Sequence, residues 1–116
     1  MPQIDVDRAL QALDGNADLL KDLASMFVED APDLLVQLKS AVAAHRPTQA
    51  RAVVHGLKGL VATFYAKSGV EIAQRLEDAA AEGDLSLFFK GELEQLEKSV
   101  GTIMGEFEAL GWVNRL

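Results

Sequence analysis

The apolar residues of this chain recur at steps of three and four positions, and this spacing limits the possible folds more than any other feature. Such steps keep side chains on one face of an α-helix, whereas a half-buried strand needs strict alternation, which no segment of the sequence shows. The clearest run occupies the C-terminal third of the chain: Leu85, Phe89, Leu93, Leu96, Val100, Ile103, Phe107 and Leu110. The pattern predicts an all-α fold.

Helix start and stop signals predict a short first helix and a long second one. The first helix is predicted from Asp5 to about Leu13, with Gly15 in the left-handed conformation that ends a helix. Asn16 then suits the N-cap of the second helix. Pro32 interrupts that helix, and it predicts a kink or a break just before it because proline removes one backbone hydrogen bond.

Three further helices complete the predicted fold. The third is expected from Thr48, as N-cap, to about Ala66, and the fourth opens with the capping-box pattern Ser68-Gly69-Val70-Glu71 and continues to Gly83. Asp84 is predicted to cap the last helix, and Gly111 to close it. Four longer helices with apolar faces and short loops predict an antiparallel four-helix bundle with a short additional N-terminal helix.

Length and composition exclude several classes of protein. The 116 residues fit one domain, residues 1–116, and no segment resembles a linker. A net charge of −7 without a basic cluster argues against nucleic-acid binding, so a protein partner is the default. The absence of cysteine excludes disulfides and thiolate chemistry. No apolar run has the length of a membrane span or a signal peptide, and we expect a cytoplasmic monomer.

The third helix has a face that core packing does not explain. On a helical wheel centred on Leu57, the apolar residues within about 60° form the predicted buried stripe: Ala50, Val53, Val54, Leu60, Val61 and Phe64. His55 lies about 160° away and is therefore predicted to be exposed. Lys58 lies at the flank of this exposed face. The face also carries the residues that we expect to dock a partner: Arg51, Ala52, Gly59, Ala62, Thr63 and Ala66.

The exposed face combines a possible nucleophile with two flanking cations and two glycines. A histidine on a helix surface usually has no function, but Gly56 and Gly59 each cost about 0.5–1 kcal/mol relative to alanine in mid-helix. Close approach of another molecule gives a reason for Gly59. Neutral imidazole is a nucleophile near neutral pH, because its unperturbed pKa is about 6.5. Lys58 at i+3 and Arg51 at i−4 can reach a phosphoryl group on the ring.

The segment His55-Gly56-Leu57-Lys58-Gly59 resembles the HxLKG motif of histidine-containing phosphotransfer (Hpt) domains. The resemblance extends to a preceding apolar helix with Phe27, Pro32, Leu34, Leu35 and Leu38, and to a following Ile72-Ala73-Gln74-Arg75-Leu76-Glu77. It implies that His55 carries the phosphoryl group, which we expect on Nε2. It also implies that Lys58 supports that group and that Gly59 keeps access open.

The resemblance further implies partners and their chemistry. The partner is a response-regulator receiver domain, a hybrid histidine kinase, or both, and the receiver supplies the Mg²⁺, so the chain needs no cofactor of its own. Neither GxxxxGK[ST] nor GxGxxG occurs, so we expect a phosphocarrier without an ATP site. A non-catalytic adaptor that sequesters a receiver is the alternative, and a dimerising kinase fragment is a third.

The chain departs from the family pattern at Tyr65. The family commonly has glycine ten residues after the histidine, and a bulky residue there can alter helix packing or partner specificity. His45, in a predicted loop, lacks the setting of His55, and two histidines with few nearby carboxylates do not suit zinc.

The remaining side chains with possible chemistry have a structural explanation. The acids around the end of the fourth helix are interpreted as a solvated face and a cap: Glu77, Asp78, Glu82 and Asp84. The same interpretation covers the acids of the last helix: Glu92, Glu94, Glu97, Glu106 and Glu108. Phe89 lies on the apolar stripe, Phe88 is either a core-edge residue or a partner contact, and Trp112 is expected to pack against the bundle end.

Overall fold

The computed structural model describes residues 2–113, and within that range every regular element is helical. The α-helices are α1 (Val6–Ala12), α2 (Ala17–Ala43), α3 (Pro47–Thr63), α4 (Lys67–Ala81) and α5 (Glu92–Ala109), with a 3₁₀ turn at Ser86–Phe89 before α5. The predicted all-α fold is confirmed. None of the described helices combines the length and the apolar character that a membrane span requires.

The four longer helices form a bundle in which α3 packs between α2 and α4. Helix α5 also packs against α2 and α4, so α3 and α5 occupy diagonal corners, and α1 lies against α2. The rings of Phe27, Phe64 and Phe107 meet in the core with centroids 4.7–5.9 Å apart. Trp112 stacks on Phe107 at 5.9 Å, which confirms its predicted position at the end of the bundle.

The start of the fold follows the predicted signals. Asp5 Oδ1 accepts from the Arg8 N–H at 3.1 Å to cap α1, and Asn16 Oδ1 accepts from the Leu19 N–H at 3.0 Å to cap α2. Gly15 has a φ of +78° where α1 ends. Helix α2 runs through Pro32 without interruption, so no break forms. Buried residues on both sides of the proline hold the helix together through packing: Phe27, Ala31 and Leu38.

The predicted boundaries of α3 and α4 were wrong. Helix α3 begins at Pro47 rather than after Thr48, because proline suits the first helical position, where no N–H is needed. It ends at Thr63, and α4 begins at Lys67 with Ala66 as its N-cap. The capping box at Ser68 does not form, because the chain is helical before it and the Val70 N–H already bonds the Ala66 carbonyl. Helix α4 ends at Ala81 rather than Gly83.

The predicted start of the last helix was also wrong. Asp84 Oδ1 instead accepts from the N–H of Ser86, the first residue of the 3₁₀ turn, at 2.9 Å, while α5 begins only after Gly91, whose φ is +99°. A 3₁₀ turn has three residues per turn, so the α-helical spacing does not hold there. Phe88 is consequently buried at 4% exposure, and Phe89 is 64% exposed.

The acids of α5 are not a uniform solvated face. Glu106 accepts hydrogen bonds from the backbone N–H groups of Gln3 (2.9 Å) and Ile4 (3.0 Å). The Asp5 N–H donates to the Phe64 carbonyl at 2.9 Å, so the N-terminal segment links α5 to the end of α3. Two further acids of this helix form ion pairs at 2.9 Å: Glu92 with Arg75 and Glu97 with Lys39.

Candidate functional site

Helix α3 buries the predicted stripe and exposes the predicted face. The stripe residues are buried except Leu60, which is half-buried: Ala50, Val53, Val54, Leu57, Val61 and Phe64. The side chain of His55 is 68% exposed on the opposite face. The helical wheel therefore placed the imidazole correctly, at the surface and outside the core.

The ring of His55 contacts a carboxylate of the neighbouring helix. Its Nδ1 lies 3.1 Å from Oε2 of Glu77 in α4, although Glu77 is only 12% exposed. The interpretation of Glu77 as part of a solvated face was therefore wrong. A wheel of α4 gives the missed signal, since Glu77 falls about 40° from Ala73, inside the sector that faces the core.

The same carboxylate holds the lysine of the motif. Lys58 Nζ lies 2.7 Å from Oε1 of Glu77, and it donates to Oε1 of Gln74 at 3.0 Å. The Gln74 amide in turn donates to Oδ1 of Asp78 at 2.8 Å. We call these five side chains the site network: His55, Lys58, Gln74, Glu77 and Asp78. Lys58 thus lies at the flank of the exposed face, as predicted, but α4 already engages its charge.

The network determines which nitrogen of His55 is free. The bond with Lys58 lowers the pKa of Glu77, the bond with His55 lowers it further, and burial opposes both. Glu77 is therefore a carboxylate at neutral pH and can only accept a hydrogen bond. We assign the proton of the neutral imidazole to Nδ1 on this ground. The lone pair then resides on Nε2, the nucleophilic nitrogen.

Most of the residues predicted to surround the ring are exposed or half-buried, and most have small side chains; the exception is Ala66. Arg51, Ala52, Gly59 and Ala62 are exposed, and Thr63 is half-buried with its hydroxyl donating to the Gly59 carbonyl at 3.0 Å. Ala66 is fully buried, because the chain turns there into α4, so its predicted place on this surface was wrong.

Packing requires neither glycine beside His55. A Cβ at Gly59 would meet no atom within 4 Å, and one at Gly56 would meet only Leu34 Cδ1, at an ordinary contact distance of 3.7 Å. Both positions could hold alanine, which is the better helix former. The stability of the bundle therefore gives no reason for glycine at either position.

Comparison with known proteins identifies the family of the chain. The model of the Hpt domain matches residues 22–103, a range that contains the whole site network. The chain belongs to the Hpt domain family. Hpt domains are phosphocarriers that act through a histidine in two-component signalling, and their partners are response regulators and kinases.

A solved structure extends the likeness beyond the matched range. This Hpt domain resembles the crystal structure of histidine-containing phosphotransfer protein B (HptB) from Pseudomonas aeruginosa PAO1, with 26% identity and a TM-score of 0.84. The alignment covers 98% of each chain. No curated protein matches the sequence.

Tyr65 occupies the turn between α3 and α4 of this Hpt domain. Its φ is +54°, the left-handed conformation that glycine adopts most easily. The Tyr65 N–H bonds the Ala62 carbonyl at 3.0 Å, and the Ala66 N–H bonds the Val61 carbonyl at 3.2 Å. This is the hydrogen-bond pattern with which helices end at a glycine, and it gives a backbone reason for the family's preference at this position.

The second histidine is remote from the site network. His45 lies in the turn between α2 and α3 with a φ of +54°, and its ring centroid is 6.5 Å from that of the exposed Phe89. Among the described residues, the ring contact of His45 is with Phe89 and not with the site network.

Proposed function

We propose that this Hpt domain accepts a phosphoryl group on Nε2 of His55 and exchanges it with the aspartate of a receiver domain. The observation that supports this most directly is the exposed imidazole whose Nδ1 lies 3.1 Å from the Glu77 carboxylate. In the Nδ1–H tautomer that this contact favours, Nε2 is unprotonated on a side chain that is 68% exposed. The small exposed residues Gly59 and Ala62 leave room beside the ring for the partner's active site.

The exchange needs no proton transfer in either direction. The Nε2 lone pair attacks the phosphorus of an aspartyl phosphate, and the N–P bond forms as the P–O bond breaks, its electron pair passing to the aspartate carboxylate. The ring becomes an imidazolium that keeps its Nδ1 proton, and the Glu77 carboxylate stabilises that charge. In the reverse step the ring departs as neutral imidazole, a better leaving group than an anion.

The remaining groups of the reaction divide between the chain and its partner. Arg51 lies one turn before His55 and can approach the phosphoryl oxygens, as can Lys58 once it leaves Glu77. Mg²⁺ belongs to the receiver. The sequence has no phosphate-binding glycine loop, so the phosphoryl group comes from a partner, a receiver or a hybrid histidine kinase, rather than from ATP. We place this relay, as a monomer, in the cytoplasm, where such kinases draw on ATP.

Labelling with a phosphorylated receiver domain tests the proposal. We expect an acid-labile, alkali-stable phosphate on the wild-type chain by mass spectrometry, none on His55→Gln, and normal labelling of the matched control His45→Gln. Equal labelling of wild type and His55→Gln contradicts the proposal. Binding without labelling across a broad receiver panel would favour the adaptor instead. Light scattering tests the monomer, since a dimerising kinase fragment has a mass that rises with concentration.

A further inference from the structure

One carboxylate holds both groups that the phosphoryl chemistry uses. Glu77 contacts the imidazole of His55 through Oε2 and the ammonium of Lys58 through Oε1. We propose that Glu77 competes with the phosphoryl group for Lys58 and thereby keeps the phosphohistidine poised for onward transfer. This inference rests on the proposed function, which it deepens by assigning a regulating role to a residue outside the HxLKG motif.

The competition follows from the geometry of Lys58. Its Nζ has two partners in α4, Oε1 of Glu77 at 2.7 Å and Oε1 of Gln74 at 3.0 Å. A phosphoryl group on Nε2 places negatively charged oxygens beside the ring, so it attracts the same ammonium. Lys58 can meet it only by loosening the bond to Glu77. That loss is costly, because Oε1 of the largely buried Glu77 carboxylate then loses its ion-pair partner and little water can replace it.

Electrostatic repulsion between Glu77 and the phosphoryl group also destabilises the phosphohistidine. A phosphoryl group on Nε2 lies on the same ring whose Nδ1 contacts the Glu77 carboxylate, so two anionic groups face each other across one imidazole. The Nδ1 hydrogen bond to Glu77 assists attack by the ring and stabilises the imidazolium that results, so by itself this bond opposes release of the phosphoryl group. The hold on Lys58 and the repulsion destabilise only the phosphorylated state. Together they favour release of the phosphoryl group to the receiver over its storage on His55.

Glutamine at this position separates the two effects. The amide oxygen of Glu77→Gln can still accept the Nδ1 proton of His55, but it carries no charge with which to hold Lys58 or repel phosphate. Lys58→Met removes the ammonium and keeps most of the side-chain volume. The double variant then tells whether Glu77 acts through Lys58. Glu71→Gln is the matched control, because it removes one exposed charge from α4 outside the site network.

The experiment measures two quantities on each variant. The chains are phosphorylated with phosphoramidate or with a phosphorylated receiver domain, and folding is checked by circular dichroism. The first quantity is the half-life of the phosphohistidine without receiver, and the second is the equilibrium ratio of label between the chain and a receiver domain with Mg²⁺. We expect Glu77→Gln to lengthen the half-life and to shift the ratio toward His55 by on the order of tenfold, the effect of one charge-assisted bond changing partners.

The outcomes distinguish this inference from the proposed function. In the Lys58→Met background, Glu77→Gln is expected to change the logarithm of the ratio by less than about half of the change that it causes when Lys58 is present. The control Glu71→Gln is expected to match wild type. A ratio for Glu77→Gln within twofold of wild type overturns the inference, as does an undiminished effect in the Lys58→Met background. Absence of label at His55 in the wild-type chain overturns the proposed function as well, whereas normal labelling with an unchanged ratio overturns the inference alone.

Discussion

Replacing Gly59 separates the stability of α3 from access to the imidazole. A Cβ at this position would meet no atom within 4 Å, so alanine fits without displacing any neighbour. Glycine in mid-helix costs about 1 kcal/mol relative to alanine, because it loses more backbone freedom on folding. We therefore expect Gly59→Ala to raise the free energy of unfolding by about 1 kcal/mol and Tm by roughly 3–6 °C for a chain of this length.

A larger side chain at the same position tests access. Glutamine is also a good helix former, so Gly59→Gln is expected to raise the free energy of unfolding by about 0.5 kcal/mol. Its side chain, however, occupies the space one turn after His55 through which the proposed function requires the receiver aspartate to approach. A displacement of about 1 Å from reactive geometry can cost roughly 10²-fold in rate, and we expect a loss of that order in transfer.

The matched control is Gly101, an exposed mid-helix glycine of α5 with no atom within 4 Å of its Cβ position. Because α5 lies diagonal to α3, Gly101→Gln is expected to give the same gain in stability with transfer unchanged. Urea unfolding followed by circular dichroism measures stability, and single-turnover transfer from a phosphorylated receiver measures access. A wild-type rate of transfer in Gly59→Gln would refute the steric reasoning. A loss of stability in Gly59→Ala would refute the claim that alanine fits at this position without displacing a neighbour.

Three further predictions follow from the hydrogen bonds of the structure. The pKa of Glu77 is lowered on folding from 4.5, so its contribution to stability is present above that value and is lost as the pH falls through the folded pKa. Between pH 7 and pH 3, the free energy of unfolding, measured with urea, is therefore expected to fall less steeply in Glu77→Gln than in wild type. ¹⁵N NMR at neutral pH is expected to show the Nδ1–H tautomer at His55 in wild type, and a mixture dominated by Nε2–H in Glu77→Ala. Glu106→Ala removes the acceptor of two backbone N–H groups and is expected to cost about 1–3 kcal/mol of unfolding free energy, with faster amide exchange at Ile4.

The sequence predicted what a single helix determines by itself. The spacing of apolar residues reports which side of a helix is buried, so it gave the helix count, the stripe around Leu57 and the exposure of His55. The signals at Asp5 and Asn16 were reliable because each cap bonds within its own first turn. These properties depend on local geometry, and packing in the bundle did not need to be known.

Predictions failed where two local signals competed or where tertiary contacts decided. Pro47 and Thr48 both suit a helix start, and the proline prevailed because its fixed φ already suits the first turn. The apolar spacing through Phe89 assumed an α-helix, but the chain forms a 3₁₀ turn there and buries Phe88 instead. The left-handed turn at Tyr65 adjoins the Phe64 carbonyl, which accepts from Asp5 of the N-terminal segment. No local pattern contains that long-range bond.

The role of Glu77 required two helices to be considered together. An acidic residue in the core-facing sector of α4 would cost free energy unless a cation or a donor satisfied it, and such a residue therefore predicts a partner on a neighbouring helix. Lys58 lies at the flank of the α3 stripe and is the natural candidate for that partner, and His55 lies one turn before it on the same side. The HxLKG motif alone assigns the nucleophile and the cation to α3. The carboxylate that orients the first and restrains the second comes from α4, so the packing of these two helices, rather than either sequence segment, sets the reactivity of the site.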